Sequence, residues 1–502
     1  MNHHGAYTAR AYHEATKHHR GFVVPARRVD AALIPRQYKR YVDLPSFPLP
    51  PPGSPESTTF DIATLATFLH FTAGIIWRRE VGGRTLEFRA ASCTGALYHV
   101  EVYVVCGDIG EIAAGVYHYD VPTETLRPLR IGDHRPHLAA ACADESIATD
   151  PASLVFTSTF WRNAWRYEER AYRHVFWDTG TMLANLLAMT GARDLDTQIL
   201  TGFVDNDIAT LLGLDTTREV PVCAVPIGTP TTGTPTSQAS VAAHGHAASA
   251  PPDRLSIQTE PLSRAEIEYP LIWRTHEATN LGDSNAVTTW RHHGTRRHPL
   301  SSQARPEHGR RGEGTGGEVT LYPLPLADTP ESIIVRRVSA RRFKPEPVLR
   351  RQLDSLLLAA TSPVPLDIDA AGLIRTHLLG HAVDGMPSGA FHLEHPDKLT
   401  ALRHANLRTE AAALALDQPA AGDAAVNLYF TTSLSEIESV FGDRGYRVAQ
   451  LTAGIRSGRL YLAATALNLR ATGLTFYDDD VANVLSLDPQ DTAVLMLMAI
   501  GQ

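Results

Sequence analysis

ERAYRHVFWDTGTMLANLLAMTGARDLDTQILTGFVDNDI (169–208) and DRGYRVAQLTAGIRSGRLYLAATALNLRATGLTFYDDDV (443–481) are one pattern written twice. Arg170-Ala171-Tyr172-Arg173 matches Arg444-Gly445-Tyr446-Arg447 at an offset of 274, Gly180 matches Gly454 at the same offset, and Phe203 matches Phe476 at 273. Upstream, AAGVYHYDVPTETLRPLR (113–130) matches PSGAFHLEHPDKLTALRH (387–404), again at 274. A period this long is no solenoid repeat. It is a domain duplication, so the chain is expected to carry its own dimer partner as an intramolecular pseudo-dimer. Two halves of that kind can share one site, and each can then lose what the other supplies.

Composition bounds the partners. The chain has 502 residues, 43% hydrophobic and 20% charged, with a net charge of −8. Those values suit a soluble globular protein and argue against nucleic acid or an anionic membrane as the main partner. MNHHGAYTAR lacks the apolar run of a secretory signal, and no stretch approaches the apolar length of a membrane helix. Cys93, Cys106, Cys142 and Cys223 form no CxxC pair and read as reduced thiols, so a cytoplasmic location is expected. His13-Glu14-Ala15-Thr16 and His276-Glu277-Ala278-Thr279 resemble half of a zinc motif. Lys17 and Asn280 stand where the second histidine would be needed, so no metal site is expected. The element reads instead as a helix start opening each half.

Four segments follow: an N-terminal extension (1–45), a first domain (46–228), a linker (229–320) and a second domain (321–502). Within the first domain, 61–75 has helical spacing, 97–106 and 153–160 read as strands, VYHYD with TLRPLR reads as a hairpin, and 219–228 closes as a strand. The second repeats the scheme with a helix in 339–360, strands at 374–381, 425–434 and 491–501, and a long helix over about 443–470. Each half is therefore α+β, a sheet packed on one long central helix. Residues 229–252 are low in complexity, and the basic stretch 290–318 reads as a solvated loop.

Two motifs carry chemistry, one per half. Arg337, Ser339 and Arg341 alternate along an extended segment and so face one way; two planar guanidinium groups about a hydroxyl suit a phosphate. The plain alternative is a basic surface segment. Ser92-Cys93-Thr94-Gly95-Ala96-Leu97 precedes a strand, and its small residues let backbone approach a flat ligand. The plain alternative is an ordinary loop. At the offset of 274 the second half shows Leu366-Asp367-Ile368-Asp369, without the small polar loop, and the first half shows SFPLPPPGSPESTTF ahead of its helix, without the arginines. Each half lacks what the other keeps, as one composite site would require.

The SARRF segment resembles the RRSxRxF signature of the FMN-dependent nitroreductase superfamily. AASCTGALYHVEVY is similar to the PSAGALYPxExY signature of its SagB-type dehydrogenases, and GVYHYD, WRYEERAYR and GFVDND follow in order. The resemblance covers most of the chain outside the linkers and is closest to the tandem form. It implies two fused nitroreductase-like domains and FMN. It implies that Arg337, Ser339 and Arg341 grip the cofactor's phosphate and pyrimidine side, that Ser92, Cys93, Thr94, Gly95 and Leu97 close over it, and that the loop Gly473, Leu474, Thr475 supplies backbone near N5. Thr201-Gly202 is the first-half equivalent, and one functional FMN per chain is expected.

The same resemblance implies the reaction: an azoline in a ribosomally made peptide is oxidised to the azole, hydride passes to the flavin, and oxygen reoxidises it. A cyclodehydratase is the implied biosynthetic partner; further homo-oligomerisation stays open. The family's Lys-Tyr pair is here Arg166-Tyr167. Arginine cannot serve as a base, so Tyr167 or a water would take the proton while Arg166 orients substrate or tunes Tyr167. Cys93 reads as a small packing residue ahead of a redox thiol. Tyr172 and Tyr446 recur, which favours helix packing; Asp205 and Asp207 recur as Asp478 and Asp480, which favours helix capping. Two alternatives stand: an NAD(P)H-dependent nitro, quinone or ene reductase, with nicotinamide as a transient substrate because no GxGxxG is present; or a non-catalytic scaffold that binds peptide and partner.

Overall fold

The structure is a computed structural model that describes residues 7–21, 30–53, 60–230, 252–255, 257–295, 328–370, 372–395 and 398–502. Most of 229–252, and 296–318 of the basic stretch, lie outside the described residues. The chain forms two compact units. Unit 1 comprises Met1–Thr8, Ala26–His292 and Pro365–Ile368; unit 2 comprises Ala9–Pro25, His293–Val364 and Asp369–Gln502.

Unit 1 is built on a seven-stranded antiparallel sheet. Its order is Phe47–Pro48, Thr125–Ile131, Gly115–Asp120, Val100–Cys106, Ala152–Ser158, Val220–Pro230, Leu195–Thr197. Unit 2 has six strands in the order Lys398–His404, Gly389–His395, Arg375–Gly380, Val426–Ser433, Thr492–Gly501, Arg470–Leu474. The sheets share one order and one register. Val104 faces Leu154 and Tyr117 in unit 1, and Leu378 faces Leu428 and Phe391 in unit 2, each pair shifted by the 274 of the sequence match. A slip of one residue would turn every core side chain outward, so a shared register records a shared core. The hairpin at 115–131 and all the strands expected from sequence are present.

Each sheet packs on a long helix. Ala171–Gly191 spans 21 residues and is buried almost continuously from Ala171 to Leu186; Arg444–Ala466 spans 23 and is buried from Arg444 to Gly458. A helix apolar or buried on all sides belongs at the centre of a domain. The expected helix at 61–75 is Ile62–Ala73, with Asp61 as its N-cap accepting from Thr64 N. The helix placed in 339–360 is confined to Arg350–Thr361. Residues 290–295, expected as loop, finish the helix Ser284–Thr295, which the buried Trp290 anchors.

Two readings need correction. The HEAT elements end helices instead of starting them: Ala9–Ala15 and Pro270–Ala278 hold His13 and His276 in their last turns. Each histidine is buried against the recurrent tyrosine of its own unit. His276 Nδ1 lies 3.1 Å from Tyr172 Oη in unit 1, and His13 Nδ1 lies 3.1 Å from Tyr446 Oη in unit 2. Asp205 and Asp478 do not cap their helices; the cap positions are Val204 and Tyr477. Asp205 accepts from Leu281 N, and Asp478 accepts from His18 N. Both carboxylates clasp the segment that follows a HEAT helix. Among the described residues no helix is long and apolar enough to cross a membrane.

Unit 2 buries histidines in its sheet. Burial pushes His377 down to about 3, helped by His392 and Arg375, and pushes His381 down to about 4. Both are neutral in the native state, whereas the unfolded chain protonates near the ordinary histidine value of about 6.5. Their stability contribution is full above about pH 6.5 and falls as pH drops toward the folded values. Melting temperature should therefore decline progressively between pH 6.5 and 4.5. His377→Gln, which can still bond to Thr431 Oγ1, should make that decline shallower; an unchanged slope would refute the assignment.

Candidate functional site

In unit 1 the hairpin Ile75–Val81 and Arg84–Arg89 leads to the loop Ser92–Tyr98, and the central strand takes over at Val100. The loop turns through a short 3-10 segment, Thr94–Ala96. Gly95 has φ 66°, and a Cβ there would come within 2.8 Å of Tyr167 Oη, so both conformation and space require glycine. Ala96 at φ 54° and Tyr98 at φ 44° also adopt the left-handed region. Non-glycine residues hold that conformation only where surroundings impose it.

Asp178 imposes it. The carboxylate is buried on the long helix and accepts from Thr94 N at 3.0 Å, Thr94 Oγ1 at 2.9 Å, Cys93 Sγ at 3.1 Å and His99 Nε2 at 2.9 Å. Cys93 Sγ in turn accepts from Tyr98 N at 3.1 Å, and His99 Nδ1 meets Ser158 Oγ at 2.8 Å. A second thread runs to Tyr167. Asn163 Nδ2 donates to Thr94 O at 3.4 Å, Asn163 Oδ1 sits 2.6 Å from His174 Nδ1, and His174 lies edge-on to Tyr167 with centroids 4.8 Å apart. Arg166 is exposed, with its guanidinium carbon 5.6 Å from the Tyr167 ring centroid. The structure thus brings Cys93, Thr94, Gly95, Arg166 and Tyr167 into one corner of unit 1. Ser92 joins by accepting from Thr181 Oγ1, and Leu97 is half-buried beside them. A small cavity opens here, walled by Arg89, Ser92, Cys93, Tyr98, Asp178 and Met182.

The electrostatics fix proton positions. Burial pushes the Cys93 thiol well up, and the charge of Asp178 and the hydrogen bond to it push the same way. Cys93 is therefore a protonated loop anchor at neutral pH, since a reactive thiol needs a lowered value. Sγ, His99 Nε2 and an Asp178 oxygen lie within 4.8 Å of one another, as metal ligands can; the hydrogen bonds just described already account for that closeness. Burial also raises the Tyr167 phenol, with Arg166 opposing and Asp178 and Cys93 adding to the rise. Tyr167 keeps its proton at neutral pH.

In unit 2 the helix Pro330–Arg336 ends and Arg337 turns extended, with φ −63° and ψ 126°. Ser339 then pairs in parallel with Ala471, and Ala340 N donates to Ala471 O at 3.0 Å. Tyr461, from the long helix, ties the segment together. Its hydroxyl accepts from Ser339 Oγ at 3.2 Å and from Gly473 N at 2.9 Å, and its ring lies 5.5 Å beneath the Arg337 guanidinium. Phe343 anchors the motif in a small core with Ala340, Ala420 and Ala499. Arg341 is exposed at a bend, and among the described residues it makes no hydrogen bond or ion pair. The strict alternation expected for the arginines stops there. Gly473 and Leu474, expected in a loop, belong to the edge strand Arg470–Leu474; Thr475 follows it.

Sequence reasoning missed Asp178, His99, Asn163, His174 and Tyr461. The signal was available. At the offset of 274 their counterparts are Thr452, Leu373, Ile437, Val448 and Leu187, none of which can do the same work. The asymmetry that singled out Tyr167, whose counterpart is Phe441, singles out these as well.

Asp178→Ala would strand several buried donors at about 1–3 kcal/mol each. Urea unfolding should show a loss of several kcal/mol. Asp178→Asn removes the charge that raises Cys93, so thiol modification at pH 8 should accelerate, and the gain should vanish in the Cys93→Ala background. Equal rates in Asp178→Asn and the parent protein would contradict this account.

Known proteins resemble this chain in fold and family. A solved protein described as a "putative nitroreductase" from Anabaena variabilis matches 99% of this chain and 100% of its own, with 25% identity and a TM-score of 0.78. "Putative nitroreductase MJ1384" of Methanocaldococcus jannaschii is 27% identical over 142 residues, which are 28% of this chain and 70% of that protein. A nitroreductase of Desulfovibrio desulfuricans solved in complex with FMN aligns with 34% of this chain and 83% of its own, at 19% identity and a TM-score of 0.24. The nitroreductase family pattern matches residues 64–229 and 334–502, one segment in each half and together more than half of the sequence, and the chain belongs to the nitroreductase family.

Proposed function

We propose that this protein is an FMN-dependent oxidoreductase that dehydrogenates an azoline ring in a ribosomally made peptide to the azole. Family membership supports the flavin. The observation that carries the reading is the unit 2 cluster of Arg337, Ser339, Tyr461 and Gly473, with the exposed Arg341 two residues beyond Ser339. Its donor set fits FMN: guanidinium groups for the phosphate, and a serine hydroxyl held in place for a polar edge of the ring. Thr475, with Leu474 and Gly473, supplies main chain at the end of the edge strand. In unit 1, Gly95 lets the Ser92–Leu97 loop pack directly against Tyr167, since a Cβ there would meet the phenol. FMN, when bound, accepts a hydride, and nearby positive charge favours its reduced anion.

The chain's own residues define the proton path. Arg166 presents its guanidinium beside the Tyr167 ring and, as an arginine, does not serve as a base. Tyr167, whose phenol burial raises, orients the substrate by donating its O–H; a water takes the ring proton. Asp178, His99 and Asn163 hold the loop and Tyr167 in register. A peptide substrate and a cyclodehydratase partner follow from the SagB-type motifs of the sequence.

The purified protein should be yellow and release FMN, not FAD, on denaturation. Arg337→Ala should weaken flavin binding at least about tenfold, the effect of losing one charge-assisted bond. Tyr167→Phe should keep the flavin and lower azole formation about tenfold or more. Absence of bound or bindable FMN would sink the proposal. Turnover of nitro or quinone substrates with NAD(P)H, and none of a thiazoline peptide, would replace the dehydrogenase by a reductase.

A further inference from the structure

Unit 1 contains its own copy of the main-chain corner that unit 2 keeps at Leu474-Thr475. Counting back from the matched Phe203 and Phe476, Thr201 corresponds to Leu474 and Gly202 to Thr475. The two copies differ in what meets them. In unit 1, Asp367 Oδ1 accepts from Thr201 N at 2.9 Å and Thr201 Oγ1 at 2.7 Å, and Oδ2 accepts from Gly202 N at 2.9 Å. Arg291 Nε donates to Asp367 Oδ2 at 2.8 Å, while its Nη2 bonds to Gly202 O at 2.8 Å and its Nη1 to Ala143 O at 3.2 Å. The Asp367 side chain is only 3% exposed. In unit 2, Thr475 is half-buried, and its N–H has no partner among the described residues.

We propose that the Thr201–Gly202 corner with Arg291 is an anion site whose resident ligand is the protein's own Asp367, and that this internal ligand closes the unit 1 copy and leaves the chain with a single flavin site. Two adjacent amides, a hydroxyl and a guanidinium are the donor set that holds a carboxylate or phosphate. Asp367 satisfies all of them, so an incoming ligand would have to displace a buried, bridged carboxylate. The delivery is built into the fold: Pro365–Ile368 belongs to unit 1, with Ile199 N donating to Pro365 O at 2.7 Å and Asp367 N to Ile199 O at 3.1 Å. Trp290 walls the pocket, since a Cβ on Gly202 would lie 3.0 Å from its ring. The flavin count in this inference rests on the FMN reading above; the anion site does not.

The full chain is therefore assayed twice. Flavin titration of the unaltered protein, followed by absorbance and by fluorescence quenching, should saturate at one FMN per chain. Two per chain would overturn the closure while leaving the FMN reading intact, whereas none would overturn the FMN reading alone. The second assay needs no flavin. Asp367→Gly empties the anion site, so its melting temperature should fall by several degrees and rise again with millimolar formate; the unaltered protein and Asp367→Gly/Arg291→Ala should not respond. Asp367→Asn, which keeps the shape but adds a donor facing Arg291, should melt lower than the parent without formate rescue. Parent-like stability of Asp367→Asn, or an Asp367→Gly protein indifferent to formate, would overturn the assignment.

Discussion

A helix with no solvent face constrains everything placed on it. Residues Ala171–Leu186 are buried throughout, so each polar side chain in that run must find a partner inside the protein or cost several kcal/mol. Asp178 finds Cys93, Thr94 and His99; His174 finds Asn163; Asn185 donates to Phe71 O; Tyr172 finds His276. The polar corner of unit 1 is a consequence of that burial. A loop with two left-handed non-glycine residues would not hold its shape in water, and a buried carboxylate needs hydrogen-bond donors. Each solves the problem of the other.

Duplication separates what both halves share from what one half carries alone. Tyr172 and Tyr446, Asp205 and Asp478, and the two HEAT histidines occur in both halves, and each does the same structural job in its own unit. Asp178, His99, Asn163, His174 and Tyr167 occur in the first half alone, and Arg337, Ser339, Arg341 and Tyr461 in the second alone. Conserving a packed tyrosine twice keeps two cores standing. A polar network that one copy lacks is not needed for the fold that both copies share.

Strand positions were legible because they rest on local alternation and on the repeat itself; Val104 and Leu378 match at the offset alone, whereas strand order is set by packing between distant segments. Helix limits were less so. The HEAT elements read as helix starts because each opens its half, yet the helices begin earlier, one at Pro270, a usual first helical residue. The other is capped from far away, by Asp443 accepting from Ala9 N at 2.8 Å. Such a cap has no local signature. Asp205 misled for the same reason: a carboxylate at a helix start resembles a cap, and its actual partner, Leu281, is distant in sequence. The arginine motif was readable as a donor set, but the residue that organises it, Tyr461, lies on a helix face where an aromatic residue ordinarily means core.

Cys93 and Asp367 occupy the same place in the repeat, at the offset of 274, and they show how a duplicated pattern diverges. Cys93 carries a neutral side chain, small enough to tuck under its own loop and donate to Asp178. Asp367 is itself the charge, and it finds amides and a guanidinium in place of a carboxylate. The main-chain donors nearest the thiol, Thr94 N and Tyr98 N, go to Asp178 and to Cys93 Sγ itself. A carboxylate at the same position consumes such donors, and a guanidinium neutralises it where it sits. One change of side chain, supported by Arg291, thus separates the two corners of the repeat.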